Sequence, residues 1–269
     1  MRSLLFLAVS FIGSLVGVEN SVMKITTEMS KAMTINEVYE KPMLMVFLGG
    51  PVTDDGITLM NLIKDKGFSS YIGNKIAVYL ADLNYQLFSK EELERYEHLI
   101  NQMHVTSFPT MILLDDEQKE ITRLSLPNLK PRQFAEKVEK IRFVYDLIRA
   151  KLPNAESDSL LSWYKEAAEI GAHGLQKEIL QKAFTFKEVD TELKIEHYLF
   201  LIRDHHQEEE ILKFKEQHLA AEFNRNPYLL DRVSLIDFQF QRPLSAAQVE
   251  HLAKDRAAAH LVKVPDRGF

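Results

Sequence analysis

The stretch KPMLMVFLGGPVTDDG, residues 41–56, decides how the first half of the chain folds. Its run Met43–Leu48 is apolar without a break and has the length of a strand, which is typical of a strand buried on both faces. The next segment, Ile57–Lys66, places its apolar residues near helical spacing and precedes Gly67, a residue type that often ends helices. The sequence therefore predicts a buried strand followed by a helix.

The rest of the first half alternates between the same two patterns. The polar residues Asp115–Gln118 separate two strand-like runs as a turn would, and Pro131 begins the last helix, where its missing N–H costs little. The predicted elements are a strand at Lys75–Leu83, a helix at Glu91–Met103, strands at Met111–Leu114 and Glu120–Leu124, and a helix at Pro131–Arg149. Two parallel strands joined by a crossover, then an antiparallel hairpin and a closing helix, give a central mixed sheet flanked by helices.

The second half shows no further strand-like run. After a predicted linker at Asn154–Asp158, helices are predicted at Ser159–Ile170, Leu175–Phe184, Thr191–Arg203, Glu208–Phe223, Tyr228–Phe240 and Ala246–Ala259. The predicted helices form hairpins that recur about every 34 residues, which is the period of tetratricopeptide repeats. Trp163-Tyr164 and the small pair Ala167-Ala168 resemble a tetratricopeptide or Sel1-like unit. The later hairpins do not keep these positions, so a plain helical bundle stays open.

The first twenty residues have the layout of a secretory signal. Arg2 precedes the uncharged apolar stretch Leu4–Val18, and small residues, among them Gly17, lie near its end. The stretch is shorter than the ~20 residues of a transmembrane helix, so we expect it to be cleaved. The alternative is an uncleaved anchor, which would be the only part of the protein expected to contact a membrane. The predicted organisation is a signal peptide at 1–20, an α/β domain at 21–152 and an all-α domain of helical hairpins at 153–269. We expect the mature protein in the periplasm or outside the cell.

Composition argues against nucleic-acid binding and against thiol chemistry. The formal charge of −6 and the absence of a basic run with interleaved aromatic residues disfavour nucleic-acid binding. The sequence contains no cysteine, so its own side chains cannot perform thiol–disulfide chemistry or carry a lipid on an N-terminal cysteine. Stability must come from packing without disulfides, although exported domains often contain them.

The first half resembles the thioredoxin superfamily, in particular its exported, disulfide isomerase-like members. In these proteins a Lys-Pro pair, a buried strand and a Phe-x-Gly turn precede a Cys-x-x-Cys motif that begins a helix. Here Lys41-Pro42, the strand from Met43 to Phe47 and Gly49 stand in that order. The resemblance continues through Asp82 and the segment VTSFPT at 105–110, and covers roughly residues 35 to 150.

The resemblance implies where the family's site residues would lie. The two cysteine positions fall on Thr53 and Gly56, with Asp54 and Asp55 between them, and the position of the family's buried acid falls on Val46. Redox chemistry there needs a thiolate at the helix N-terminus, which neither a threonine hydroxyl nor a glycine supplies. The two aspartates are better interpreted as carboxylates favoured at a helix start than as catalytic acids.

Phe108, Pro109 and Thr110 match the family's loop with a cis-proline before the third strand. In the family this loop lies beside the Cys-x-x-Cys turn and leaves backbone groups able to pair with an extended peptide. The three residues are therefore candidates for peptide binding. The alternative is that Phe108-Pro109 only forms the entry to a strand.

Other chemistry-bearing residues favour simpler interpretations. His197, His205, His206 and His218, with Glu209 and Glu210, match no metal-binding signature, and a solvated, charged helix end explains them better than a metal site. Trp163, Tyr164, Phe184 and Phe186 are expected to pack between helices. Motifs for nucleotide binding and serine catalysis are missing, and no cofactor, metal or catalytic residue is predicted.

Three functions stay open at this stage. The leading hypothesis is an exported, redox-inactive thioredoxin-like protein that binds a protein or peptide client as a chaperone or scaffold, with the helical half as an interaction or dimerisation module. The second is an enzyme of non-thiol chemistry, such as a glutathione transferase-like activity. The third is a structural component of the cell envelope.

Overall fold

The computed structural model describes residues 25–26, 41–49, 53–73, 75–82, 90–204, 206–240, 242, 244, 247–251 and 253–254. These residues form two compact units. The first contains the described chain up to Pro153 together with Lys165–Gln176, and the second contains Asn154–Tyr164 and the described chain from Lys177 onward. The predicted signal peptide lies outside the described residues, and the domain boundary at 152/153 stays a prediction.

The first unit is built on five strands that pair into one sheet. Its elements in chain order are β1 (Ile25–Thr26), β2 (Met43–Gly49), α1 (Asp54–Lys64), α2 (Lys66–Ile72), β3 (Ala77–Asp82), α3 (Lys90–Gln102), β4 (Thr110–Leu114), β5 (Glu120–Leu124) and α4 (Pro131–Lys151). Every strand predicted in this half is present within three residues of its expected ends. The two-residue strand β1 is additional, because so short a segment carries no periodicity.

The sheet is mixed, with the strand order β1-β3-β2-β4-β5. Strands β1, β3 and β2 run parallel, and β4 and β5 are antiparallel to their neighbours. The central strand β2 is fully covered: Met45 pairs with Tyr79 on one side and with Ile112 on the other, and is 0% exposed. An unbroken apolar run is what a strand in this position requires, since both of its faces lie in the core.

The helix predicted at Ile57–Lys66 is corrected by the structure. Helix α1 begins three residues earlier and ends at Lys64, and Gly67 lies inside a second helix instead of ending the first. Asp65 makes the break: its backbone is extended and its carboxylate accepts a hydrogen bond from the Gly67 N–H at 2.6 Å. An aspartate that begins a helix in this way is a common N-cap.

Asp115, in the turn between β4 and β5, fastens this hairpin to the long helix α4. It is 1% exposed, and its Oδ1 accepts hydrogen bonds from the N–H groups of Glu117 and Lys119 at 2.9 and 2.8 Å. Its Oδ2 accepts from the Tyr145 hydroxyl at 3.0 Å and from Arg149 Nη1 at 2.5 Å. A buried carboxylate is stable only when it has such donors.

The segment Lys165–Gln176 belongs to the first unit, and within it Gly171 approaches strand β5 closely. Its φ of +70° is in the left-handed region, and a Cβ at this position would lie 2.7 Å from Oγ1 of Thr122 on β5. Glycine is required here both by the backbone and by the close approach to the strand.

The second unit is helical throughout its described residues. Its remaining elements are α5 (Ser157–Glu169), α6 (His173–Ala183), α7 (Thr191–Arg203), α8 (Glu208–His218) and α9 (Pro227–Gln239), and α5 continues from Lys165 into the first unit. Helix α8 is shorter than predicted, because a 3-10 turn, Ala220–Glu222, replaces its last part. The predicted linker Asn154–Asp158 is corrected as well, since α5 already begins at Ser157. Half of the helix expected at Ala246–Ala259 lies outside the described residues, and its described residues, 247–251 and 253–254, are helical. The tetratricopeptide-like repeat is not confirmed.

A buried ionic cluster holds the second unit together around Asp237, which is 0% exposed. Its two carboxylate oxygens accept hydrogen bonds from the Tyr198 hydroxyl, Lys215 Nζ and Gln248 Nε2, each at 2.6 Å. Burial, followed by the Asp237 carboxylate, raises the pKa of Tyr198. The cluster is a structural one, because a buried charge persists only when its partners satisfy it.

Candidate binding site at the start of helix α1

Thr53 begins helix α1 and uses its side chain to do so. Its backbone is extended (φ −88°, ψ 156°), and its Oγ1 accepts a hydrogen bond from the Gly56 N–H at 3.1 Å. Asp54 and Asp55 follow in the first turn and are exposed, as predicted for carboxylates that the helix dipole favours. Residues 53–56 therefore form a capped helix start, with Thr53 as the N-cap and no thiol among the side chains.

Gly56 ties this helix start to the end of the central strand. The residue is buried, and a Cβ here would lie 3.2 Å from Thr53 Oγ1 and 3.6 Å from the Leu48 carbonyl oxygen of β2. The position therefore lies directly beside the last residues of β2. Val46, two residues earlier in that strand, is 0% exposed and offers no carboxylate to the site.

The loop before β4 reaches the same end of the sheet. Thr110, the first residue of β4, pairs with Phe47, one residue before Leu48, and neighbouring strands lie about 4.8 Å apart. The Phe108–Pro109 peptide bond is cis. The Thr110 hydroxyl donates a hydrogen bond to the Ser107 carbonyl at 2.6 Å, which closes the loop on itself. The sheet register thus brings the 53–56 and 108–110 segments to the same end of the sheet.

Two exposed apolar side chains belong to these segments. Phe108 is 41% exposed, and Ile57, on the first turn of α1, is 44% exposed. The two segments carry apolar side chains at Phe108 and Ile57 and acidic side chains at Asp54 and Asp55. We call the residues 53–57 and 108–110 the edge site.

Arg123 on β5 is a residue that the sequence did not single out. Its guanidinium donates to the carbonyl oxygens of Met103 and His104, at 2.6 and 3.1 Å, just after α3 ends. Glu120, three residues earlier, holds the guanidinium through contacts of 3.0 and 2.8 Å. In the sequence these two residues show only the polar alternation of a half-exposed strand, which does not reveal contacts twenty residues away.

His197 and His218 of the second unit lie among aromatic rings, whereas the sequence predicted a solvated helix end. The His197 ring centre is 4.7 Å from that of Phe184 and 4.7 Å from that of Phe214, and His218 lies 4.7 Å from Phe214. Burial is the main reason that the pKa of His197 is lowered to about 4, and the neighbouring His218 and His206 lower it further. His197 is therefore neutral at pH 7.

The other residues of the histidine group do not gather around a common point. His206 Nδ1 lies 2.9 Å from Glu210 Oε2 in an exposed pair, Glu209 is exposed, and His205 lies outside the described residues. Over the part of the chain that the structure describes, no three acidic or histidine side chains are arranged to hold a metal. Trp163 is half-buried.

Three of the residues predicted to pack between helices also make polar or ring contacts within the second unit. The Tyr164 hydroxyl donates to Glu196 Oε2 at 3.0 Å, and the Lys182 ammonium lies 5.8 Å from the Phe186 ring centre. Phe184 packs edge-on against Phe214, with ring centres 5.3 Å apart. Tyr164 and Phe184 thus contact neighbouring helices, whereas the Phe186 contact joins residues four positions apart in one segment.

A mixed sheet flanked by helices and followed by a helical region is compatible with a thioredoxin-like domain followed by helices. The solved structures include a weakly similar chain, described as "DsbH Oxidoreductase". It is 17% identical, covers 46% of this chain and 88% of its own length, and gives a TM-score of 0.41. No protein-family model matches the sequence, and no curated protein matches it. Among the described residues, no helix has both the length and the apolar content of a membrane span.

Proposed function

We propose that this chain is an exported, redox-inactive thioredoxin-like protein that binds a protein or peptide partner at the edge site. The proposal keeps the thioredoxin resemblance and the signal-like N-terminus of the sequence as its starting points. It assigns a binding role to the end of the sheet where related proteins carry their reactive pair.

The observation that carries the proposal is the state of Thr53. Its hydroxyl is engaged as the N-cap, accepting a hydrogen bond from the Gly56 N–H, and the sequence holds no cysteine that could replace it as a nucleophile. A hydroxyl in this position stabilises the helix start by ~1 kcal/mol without being ionised. Thr53 therefore has a structural role in starting the helix. The role that remains for this end of the sheet is to bind a partner through its surface.

The surface suits an extended peptide for two reasons. Phe108 and Ile57 are partly exposed apolar side chains, and burying them against a partner lowers the free energy through the hydrophobic effect. The loop that carries Phe108 leads into β4, and we propose that its backbone, ahead of the first paired residue Thr110, pairs with the extended peptide. We propose no catalytic residue, cofactor or metal for this site.

A binding experiment with a matched control tests the proposal. An array of synthetic 12-residue peptides identifies a binder, and calorimetry then measures its dissociation constant with the wild type, with Phe108→Ala and with Phe143→Ala. Phe143 is 59% exposed on α4 and serves as the control for loss of an exposed aromatic ring. We expect Phe108→Ala to weaken binding ~tenfold, equal to ~1.4 kcal/mol, and Phe143→Ala to leave it unchanged.

Two results would overturn the proposal. One is that no peptide binds, or that the two alanine variants weaken binding equally. The other is retention on glutathione resin together with turnover in a conjugation assay, which would favour an enzyme. Export is tested separately, by expressing the full chain and determining whether residues 1–20 are removed.

A further inference from the structure

The loop that carries Phe108 begins where helix α3 ends, and that end is held firmly. His104 has a φ of +49°, the left-handed conformation that commonly closes a helix. The Val105 N–H donates to the Ile100 carbonyl oxygen at 3.0 Å, and the Val105 side chain is only 7% exposed. The chain thus enters the loop from a fixed point in the core.

Arg123 adds a second fixation at the same place. Its two guanidinium nitrogens bind the carbonyl oxygens of Met103 and His104, where the partial negative charge of the α3 C-terminus is concentrated. Glu120 binds the other side of the guanidinium and so restricts its orientation. Arg123 pairs with Ile112 of β4, so the arginine is rooted in the same sheet that the loop enters.

We propose that Arg123 is a positioning residue for peptide binding: by holding the Met103 and His104 carbonyls, it fixes the loop that presents Phe108. The loop is held at its start by Arg123 and at its end by the hydrogen bond from the Thr110 hydroxyl to Ser107. A partner that binds a loop held at both ends need not order it, and ordering a loop costs affinity. This inference rests on the proposed function, but it concerns a residue outside the edge site.

The test compares Arg123→Met with Arg123→Lys and with Arg132→Met. Arg132 is an exposed arginine of α4 that pairs with Glu136 at 3.1 Å, so its replacement removes a similar ion pair away from the loop. The dissociation constant of the best peptide from the array is measured for each variant. We expect a ~tenfold loss for Arg123→Met, the size of one charge-assisted hydrogen bond, partial recovery with Arg123→Lys, and no change for Arg132→Met.

A second readout needs no peptide. Amide hydrogen exchange at Val105, measured on the free protein, should accelerate in Arg123→Met and not in Arg132→Met. Should Arg123→Met fail to fold, Glu120→Gln takes its place, because it loosens the guanidinium while keeping the arginine. Wild-type affinity in a folded Arg123 variant, or unchanged exchange at Val105, overturns the inference. A wild type that binds no peptide overturns the proposed function instead, and the exchange measurement still decides whether Arg123 fixes the loop.

Discussion

Restoring a cysteine pair at the start of α1 is a direct test of the site's geometry. The variant carries Thr53→Cys together with Gly56→Cys. In the structure, a Cβ on residue 56 lies 3.2 Å from Thr53 Oγ1. A disulfide with an S–S bond of about 2.04 Å places each Cβ about 3 Å from the opposite sulfur, so the pair needs to shift by only a few tenths of an ångström.

The two substitutions cost stability and change the reactivity of the new thiol. Losing the threonine cap costs ~1 kcal/mol, and the buried Gly56 site must accommodate a side chain. The N-terminus of a helix stabilises a thiolate, so the pKa of the new thiol at residue 53 should fall below the usual value of about 8.5. A stabilised thiolate favours the reduced form, so closure is tested with an excess of oxidised glutathione. Thr53 is exposed, so reagents reach the position.

Mass spectrometry after equilibration with oxidised glutathione should detect the loss of two hydrogens in the double variant. The alkylation rate of the single variant Thr53→Cys, followed against pH, should give a midpoint below about 8.5. The control is Asn61→Cys with Lys64→Cys, an exposed pair at the same spacing within α1. Its Cβ atoms are ~5–6 Å apart in a regular helix turn, too far for easy closure. A folded Thr53/Gly56 variant that stays reduced, or that closes no better than the control, would refute the geometry described for this site.

Three further expectations concern stability and are measured by urea unfolding. Gly171→Ala should lose ~2 kcal/mol, because φ is +70° and the new Cβ would lie 2.7 Å from Thr122 Oγ1, whereas Gly174→Ala, with no neighbour closer than 3.9 Å, should be neutral or stabilising. The pKa of His197 is lowered to about 4 in the fold, so the unfolded chain takes up the proton first as the pH falls. The contribution of neutral His197 to the free energy of unfolding is complete above about pH 6.5 and is lost as the pH falls towards 4. The loss is ~2 kcal/mol after allowance for partial exposure, and His197→Phe should flatten the dependence of stability on pH. Asp115→Asn should cost ~3 kcal/mol, because it leaves the buried donors around the carboxylate without a charged acceptor, and equal stability of the variant would contradict that role.

The strands were largely predictable because the apolar runs that define them lie within short segments of the sequence. The run Met43–Leu48 and the similar run of β4 are unbroken and apolar, and strands buried on both faces require this pattern. The break at Asp65 and the helix α2 after it were missed, because Gly67 was interpreted as the end of the first helix, whereas the Asp65 carboxylate caps a second one there. The strand β1 was missed because pairing with β3, and not its own sequence, defines it.

The candidate site divides in the same way. Thr53 and the two aspartates that follow could be predicted as a helix start, because capping depends on residues a few positions apart. Arg123 could not be predicted, because its contacts are to backbone carbonyls that every residue possesses. The ring contacts of His197 also lay beyond the sequence, since they depend on how separate helices pack.

The close approach of Gly171 to β5 has a practical consequence for dividing the chain. The chain passes between the two compact units after Pro153, after Tyr164 and again after Gln176. A fragment that stops at Pro153 would lack the segment that lies against Thr122, including Ala172, which is 0% exposed in the whole chain. Such a fragment would uncover β5 at Thr122, which is 3% exposed in the whole chain, so limited proteolysis or truncation after Pro153 should yield an aggregation-prone piece instead of an independent sheet domain.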